Sequence, residues 1–101
     1  MDTKINTAVK MFAERVNERY KPKAIYLYGS HIKGTAGEYS DIDVAVVFPA
    51  ADSVDYMSIF SELFSIAAKF NVNIEPNLLV DDGVYCKFSF LAEVMETGRL
   101  I

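Results

Sequence analysis

Residues 24–48 run Ala24-Ile-Tyr-Leu-Tyr28-Gly29-Ser30, continue through ten residues that end at Ser40, and resume as Asp41-Ile42-Asp43-Val-Ala-Val-Val-Phe48. The first part is apolar, β-branched and aromatic from Ile25 to Tyr28, which suits a short buried strand. The last part predicts a second strand over 41–48, opening with two acids and apolar on both faces thereafter, as in a sheet covered by helices on both sides. Strand side chains alternate between faces, so Asp41 and Asp43 point to one side while Ile42, Val44 and Val46 point to the other. Two carboxylates held this close repel unless a cation lies between them, and Mg²⁺ takes such oxygen ligands while keeping other positions for water and phosphates. A turn or cap ahead of the strand would account for one aspartate, but not for a second on the alternate position.

Between the strands lies a stretch with the marks of a functional loop: Gly34 and Gly37, charges at Lys33 and Glu38, and no periodicity. Gly29 can adopt positive φ and let a phosphate approach the backbone. Ser30 can cap a following helical turn, with its hydroxyl and the nearby N–H groups turned to an anion. Lys33 is either a solvated charge or a phosphate contact, and its place beside these residues favours the latter. His31, the only histidine, reads as an exposed loop side chain without a specific contact, since no partner for it is evident.

Outward from this centre the pattern is helical on both sides. Ile5, Val9, Phe12, Ala13, Val16 and Tyr20 recur at three- and four-residue steps, predicting a helix over 3–20 that Asp2 or Thr3 caps and that Arg19, Lys21 and Pro22 close. A second long helix is predicted over 53–70, capped by Asp52 or Ser53, with Asp55 in its first turn, an apolar face of Ile59, Leu63, Ile66 and Phe70, and Asn71 as a left-handed terminator. Residues 72–80 predict a third strand. Pro76 removes a ladder donor there and places the strand at an edge, and Glu75 is its only charge. Asp81-Asp82-Gly83 is a turn, and 84–90 is either a fourth strand or the approach to a last helix over 89–97, with Ser89 as cap and Gly98 as terminator. Arg99 to Ile101 read as a tail, and Cys86 as a small buried or half-buried side chain.

Composition bounds the function. The 101 residues carry a net charge of −4 and are 51% hydrophobic, the balance of one globular α/β domain spanning 1–101. An acidic chain lacks the basic face that nucleic acid requires, so no direct nucleic-acid binding is expected. One cysteine excludes an internal disulfide framework, and no apolar run approaches the roughly 18 residues that span a bilayer, so a cytoplasmic protein without membrane attachment is expected. The number of copies in an assembly stays open.

Gly29-Ser30, ten residues, and Asp41-Ile42-Asp43, followed by an acid on a later strand, resemble the signature of nucleotidyltransferases of the DNA polymerase β superfamily. In its shortness the chain is similar to the minimal nucleotidyltransferase (MNT) domains that act as antitoxins. The resemblance implies a mixed β-sheet of three or more strands flanked by helices, with Asp41, Asp43 and Glu75 as catalytic and metal-binding residues for one or two Mg²⁺ ions. It assigns Gly29, Ser30 and Lys33 to the nucleotide phosphates and Glu75 to deprotonation of the acceptor. It also implies ATP as donor, AMP as the transferred group, and a tyrosine of a HEPN-type partner protein as acceptor. Many relatives carry aspartate where Glu75 stands, and a surface glutamate on an edge strand is the alternative for this position. The competing function is a non-catalytic module that masks a partner by contact, with a vestigial or sensing nucleotide site. Transfer to a small molecule would use the same chemistry but normally needs a further domain for the acceptor.

Overall fold

The computed structural model describes residues 3–37, 40–84 and 86–101; Asp2 and Glu38, named above, lie outside them. In chain order the elements are α1 (Thr3–Arg19), β1 (Ala24–Tyr28), α2 (Ser30–Lys33), β2 (Ile42–Pro49), α3 (Tyr56–Ala67), β3 (Ile74–Asp81), α4 (Phe90–Thr97) and β4 (Arg99–Leu100). The strands form one sheet in the order β3-β2-β1-β4. β1 runs antiparallel to β2 and to β4, whereas β2 and β3 are parallel. Parallel neighbours need a crossover, and α3 supplies it. This mixed α/β sheet flanked by helices is the architecture the sequence predicts.

One face of the sheet carries the main core. Ile25 and Leu27 of β1, Ile42, Val44, Val46 and Phe48 of β2 and Ile74 of β3 are buried with Val9, Phe12, Ala13 and Val16 of α1 and Leu63 and Ala67 of α3. The apolar stripe of α1 therefore faces the sheet, as its spacing requires. The opposite face takes α4. Phe90 packs edge-on against Tyr28, with ring centroids 5.5 Å apart, and Ala45 and Val47 of β2 are buried there with Ala92 and Val94 of α4. Cover on both faces explains why β2 is apolar on both sides after its acidic start.

Several boundaries differ from the sequence-based expectation. α3 begins at Tyr56 because Asp55, rather than Asp52 or Ser53, accepts the Ser58 N–H at 3.1 Å. Ser53 instead turns the chain at φ 63°, and the Tyr56 hydroxyl, 3.0 Å from both the Pro49 carbonyl and the Ala51 N–H, fastens the loop. α3 unwinds through tight turns in which the Lys69 and Phe70 N–H groups reach Ile66 and Ala67. Asn71 is not among the residues with positive φ. Cys86 is exposed rather than buried. The expected tail at Arg99-Leu100 is an edge strand paired with Tyr26 and Leu27. Gly98 makes this possible: a Cβ there would stand 3.0 Å from the Leu27 carbonyl oxygen and 2.5 Å from that of Val94, so only glycine lets α4 pass this close to β1.

Candidate active site

Gly29, Ser30, Asp41, Asp43 and Glu75 lie at one end of the sheet, where β1 ends and β2 and β3 begin. Register places them. Tyr28 of β1 stands opposite Asp43 of β2, which stands opposite Glu75 of β3, so the three side chains form one row on the sheet face that α4 leaves partly open. Asp41 lies one residue before β2, exposed, at the head of the row. The Asn73 side-chain amide donates a hydrogen bond to Asp41 Oδ1, and the Ile42 N–H donates to the Asn73 carbonyl at 2.8 Å. Asn73 thus holds both the backbone and the carboxylate at this point.

Gly29 is the hinge of the site. Its φ of 77° and ψ of −148° lie in a region essentially reserved for glycine, and a Cβ built there would fall 3.1 Å from Asp43 Cγ and closer still to Asp43 Oδ2. The bare backbone is what allows the Asp43 carboxylate to sit against the turn. Gly29, not Ser30, caps α2: the Ile32 and Lys33 N–H groups bond to the Gly29 carbonyl at 3.0 Å. Ser30 is the first helical residue, so its hydroxyl is not spent on capping. Lys33 is exposed on the last turn of α2.

The charges of the site act on one another. Burial, then repulsion from Asp41, pushes the Asp43 carboxyl above its ordinary range, while His31 pulls it down. Glu75 is raised by its hydrogen bond and charge interaction with Asp41 first and by Asp43 last. Burial raises the Tyr28 phenol most, an Asn77 hydrogen bond lowers it, and the Asp43 and Glu75 charges raise it. Carboxylates that repel one another at close range favour a cation between them. The donors are all hard oxygens, which fits Mg²⁺. Among the described residues no three His, Cys, Asp or Glu side chains form a ready metal cage.

Two residues differ from the sequence-based reading. His31 is not an exposed loop side chain: it is half-buried beside Asp43, and its Nε2 is shielded from solvent without a hydrogen-bond partner. Asn73 gave no signal at all, since a single asparagine before a strand looks like a turn residue; only the Asp41↔Asn73 juxtaposition across parallel strands reveals it. Asn73→Ala is expected to weaken divalent-ion binding about tenfold, as loss of a residue that orients a metal ligand typically does. Titration with Mn²⁺, followed by its electron paramagnetic resonance signal, measures this without reference to turnover.

A family model described as "Nucleotidyltransferase domain" matches residues 9–97. The chain belongs to this family. The match covers α1 from Val9 onward, all of α3, the glycine-serine turn, both aspartates and Glu75. No protein of curated function matches the chain. Among solved structures, this nucleotidyltransferase domain is similar to a protein from Sulfolobus solfataricus provisionally described as a nucleotidyltransferase, at 17% identity and a TM-score of 0.57, over 99% of this chain and 86% of the other. That likeness is one of fold. It is also similar, at 26% identity and a TM-score of 0.57, to a chain in the crystal structure of a toxin–antitoxin with AMP-PNP, over 93% of this chain and 69% of the other. Among the described residues no helix is long and apolar enough to cross a membrane.

Proposed function

We propose that the protein is a Mg²⁺-dependent nucleotidyltransferase that moves AMP from ATP to a hydroxyl of a partner protein, and that it is the antitoxin of a HEPN/MNT pair. The observation that carries the reading is the row formed by Asp43 and Glu75 in direct register, headed by Asp41 and closed against Gly29. Family membership supports nucleotidyl transfer. Likeness to a chain of a toxin–antitoxin crystallised with AMP-PNP, together with the resemblance to minimal antitoxin domains, supports the adenine nucleotide and the protein partner.

In this mechanism Asp41 and Asp43 hold the ion, Asn73 orients Asp41, and Ser30 and Lys33 contact the outer phosphates. When bound, Mg²⁺ neutralises the triphosphate and stabilises charge that builds on the leaving oxygen. Glu75 takes the proton of the acceptor hydroxyl. The acceptor oxygen forms a bond to the α-phosphorus as the bond from that phosphorus to the bridging oxygen breaks, and pyrophosphate departs with the electron pair. A Glu75 lifted above the usual carboxylate range is a better proton acceptor for this role than an ordinary surface glutamate.

Metal-dependent nucleotide binding tests the first half of the proposal. ATP with Mg²⁺ is expected to raise the melting temperature by mass action, and ATP with EDTA is not. No shift at saturating ATP and Mg²⁺ would contradict the assignment of the carboxylates.

A further inference from the structure

β3 is an outermost strand of the sheet, and its hydrogen bonds fix which backbone groups are left open. At the two ends of the β2–β3 pairing the Ile42 N–H donates to the Asn73 carbonyl at 2.8 Å and the Ala50 N–H to the Asp81 carbonyl at 3.2 Å. Parallel neighbours engage alternate residues, so Glu75, Asn77, Leu79 and Asp81 turn their backbone groups to β2, while those of Pro76, Leu78 and Val80 point away from the sheet. Pro76, lacking an N–H, therefore costs the ladder nothing and blunts the first half of the edge. Leu78 and Val80 stay open: among the described residues neither N–H has a hydrogen-bond partner. Along this edge, on the core side of the sheet, runs a bare flank of α3. Glu62, bonded to Arg19 at 2.7 Å, marks the side of α3 that meets α1. Phe64, beside Ile74 at the start of β3, marks the opposite side, and helical spacing puts Met57 and Phe60 there as well. Met57 is 74% exposed and Phe64 43%, and the Phe60 and Phe64 rings meet edge-on at 5.2 Å. Glu62 is the only charged residue of α3, so this flank is apolar and neutral.

We infer that the β3 edge and this flank of α3 are the interface to a second copy of the chain, with β3 antiparallel to its counterpart across a two-fold axis so that two four-stranded sheets become one. The pairing is independent of the proposed reaction. The edge complements itself. With Leu78 opposite the second copy's Val80, each such pair exchanges both of its hydrogen bonds, and Pro76 falls outside the bonded pairs. The same register sets Leu79 against its own counterpart and Asn77 against Asp81, whose charge Lys23 already meets at 2.9 Å. A register that paired Leu78 with itself would instead set Glu75 against Asp81, two like charges directly opposite. An axis normal to the sheet also puts both α3 helices on one side of the joined sheet, so the two apolar flanks face each other. Charge selects the occupant. A chain of net −4 repels its own copy, least where acids are missing, and the α3 flank carries none. A partner recognised by charge would find nothing on that flank to hold.

The test is sedimentation equilibrium of the purified full chain over a range of concentrations, paired with hydrogen exchange of the ¹⁵N-labelled protein. A reversible dimer is expected, with exchange of the Leu78 and Val80 amides slowing as concentration rises. Val80→Pro removes a donor at an outward-facing position of the kind Pro76 already occupies. It is expected to weaken association about tenfold to a hundredfold, because the axis repeats each lost hydrogen bond. Met57→Lys, at an exposed helical position, brings like charges together at the axis and is expected to weaken association as well; it keeps the test open should Val80→Pro fail to fold. Leu100→Lys, on the β4 edge where Leu100 is 63% exposed, is expected to leave the dimer intact. A monomer at every concentration, a dimer whose Leu78 and Val80 amides exchange as fast as in dilute solution, or Val80→Pro and Met57→Lys both associating like the parent would overturn the inference. Loss of the dimer in Leu100→Lys would overturn it too, by placing the contact at the opposite edge.

Discussion

Gly29→Ala is expected to abolish nucleotidyl transfer and to destabilise the fold at the same time. Two independent causes act at this position. The backbone at φ 77°, ψ −148° costs a residue with a Cβ about 1–3 kcal/mol, and that Cβ would run into the Asp43 carboxylate. The side chain cannot escape far, since Asp43 is flanked in register by Tyr28 and Glu75. A melting temperature lower by about 5–15 °C follows for a domain of this size. Displacement of Asp43 by even an ångström should lower the transfer rate by about a hundredfold or more. Thermal unfolding and a nucleotidylation assay on the same preparation check both parts. A variant that melts like the parent would show that the turn relaxes at no cost.

Asp43→Asn is expected to separate stability from activity. It removes one of the carboxylates that stabilise charge in the transition state, so transfer should fall by about a thousandfold. The metal-free protein should nonetheless become more stable, because the raised position of the Asp43 carboxyl records burial and repulsion from Asp41. Solvent screening at this half-exposed site keeps the gain to roughly half a kcal/mol, or about 2–4 °C. The pH dependence has a definite sign. Asp43 and Glu75 titrate above their ordinary range when folded, so as pH falls through those raised values the folded chain binds more protons than the unfolded one. Without metal, stability should therefore rise as pH is lowered from neutral toward the ordinary carboxylate range, and be lost again as pH rises. Asp43→Asn should flatten that rise. Glu62 and Asp81, held below the usual range by Arg19 and Lys23, act oppositely. Their contribution is present above the ordinary carboxylate range and is lost as pH falls through their lowered values. Melting curves in EDTA between neutral and mildly acidic pH test both statements.

The fold was legible wherever local pattern and burial coincide. The stripe of α1 has one stable solution, a face against the sheet, the apolar run of β2 requires cover on both of its faces, and Pro76 marked β3 as an edge strand. The glycine-serine turn and the paired aspartates were legible because their chemistry is local: two acids on alternate strand positions, a glycine where the backbone must come close. Glu75 was placed by order along the chain, and its register with Asp43 is set by the β2–β3 pairing, which no local pattern contains. What could not be read depends on contacts across the fold. Asn73 reaches Asp41 only through the parallel pairing, His31 is half-buried because α2 packs against β1 and β2, and β4 exists because Gly98 lets the chain close on β1. The helix start at Tyr56 was obscured by competing caps, since Asp52, Ser53 and Asp55 are all capable and the loop fastened by the Tyr56 hydroxyl decides among them.

The most direct test of nucleotidyl transfer to a protein is to incubate the purified chain with Mg²⁺ and ATP in a lysate of its host, using label at the α-phosphate in one reaction and at the γ-phosphate in another. The products are separated on a denaturing gel, with Asp43→Asn run alongside. The account predicts a protein band labelled from the α-position only, made by the parent chain and lost in the variant. A band labelled from the γ-position, or one equally strong with Asp43→Asn, would contradict it.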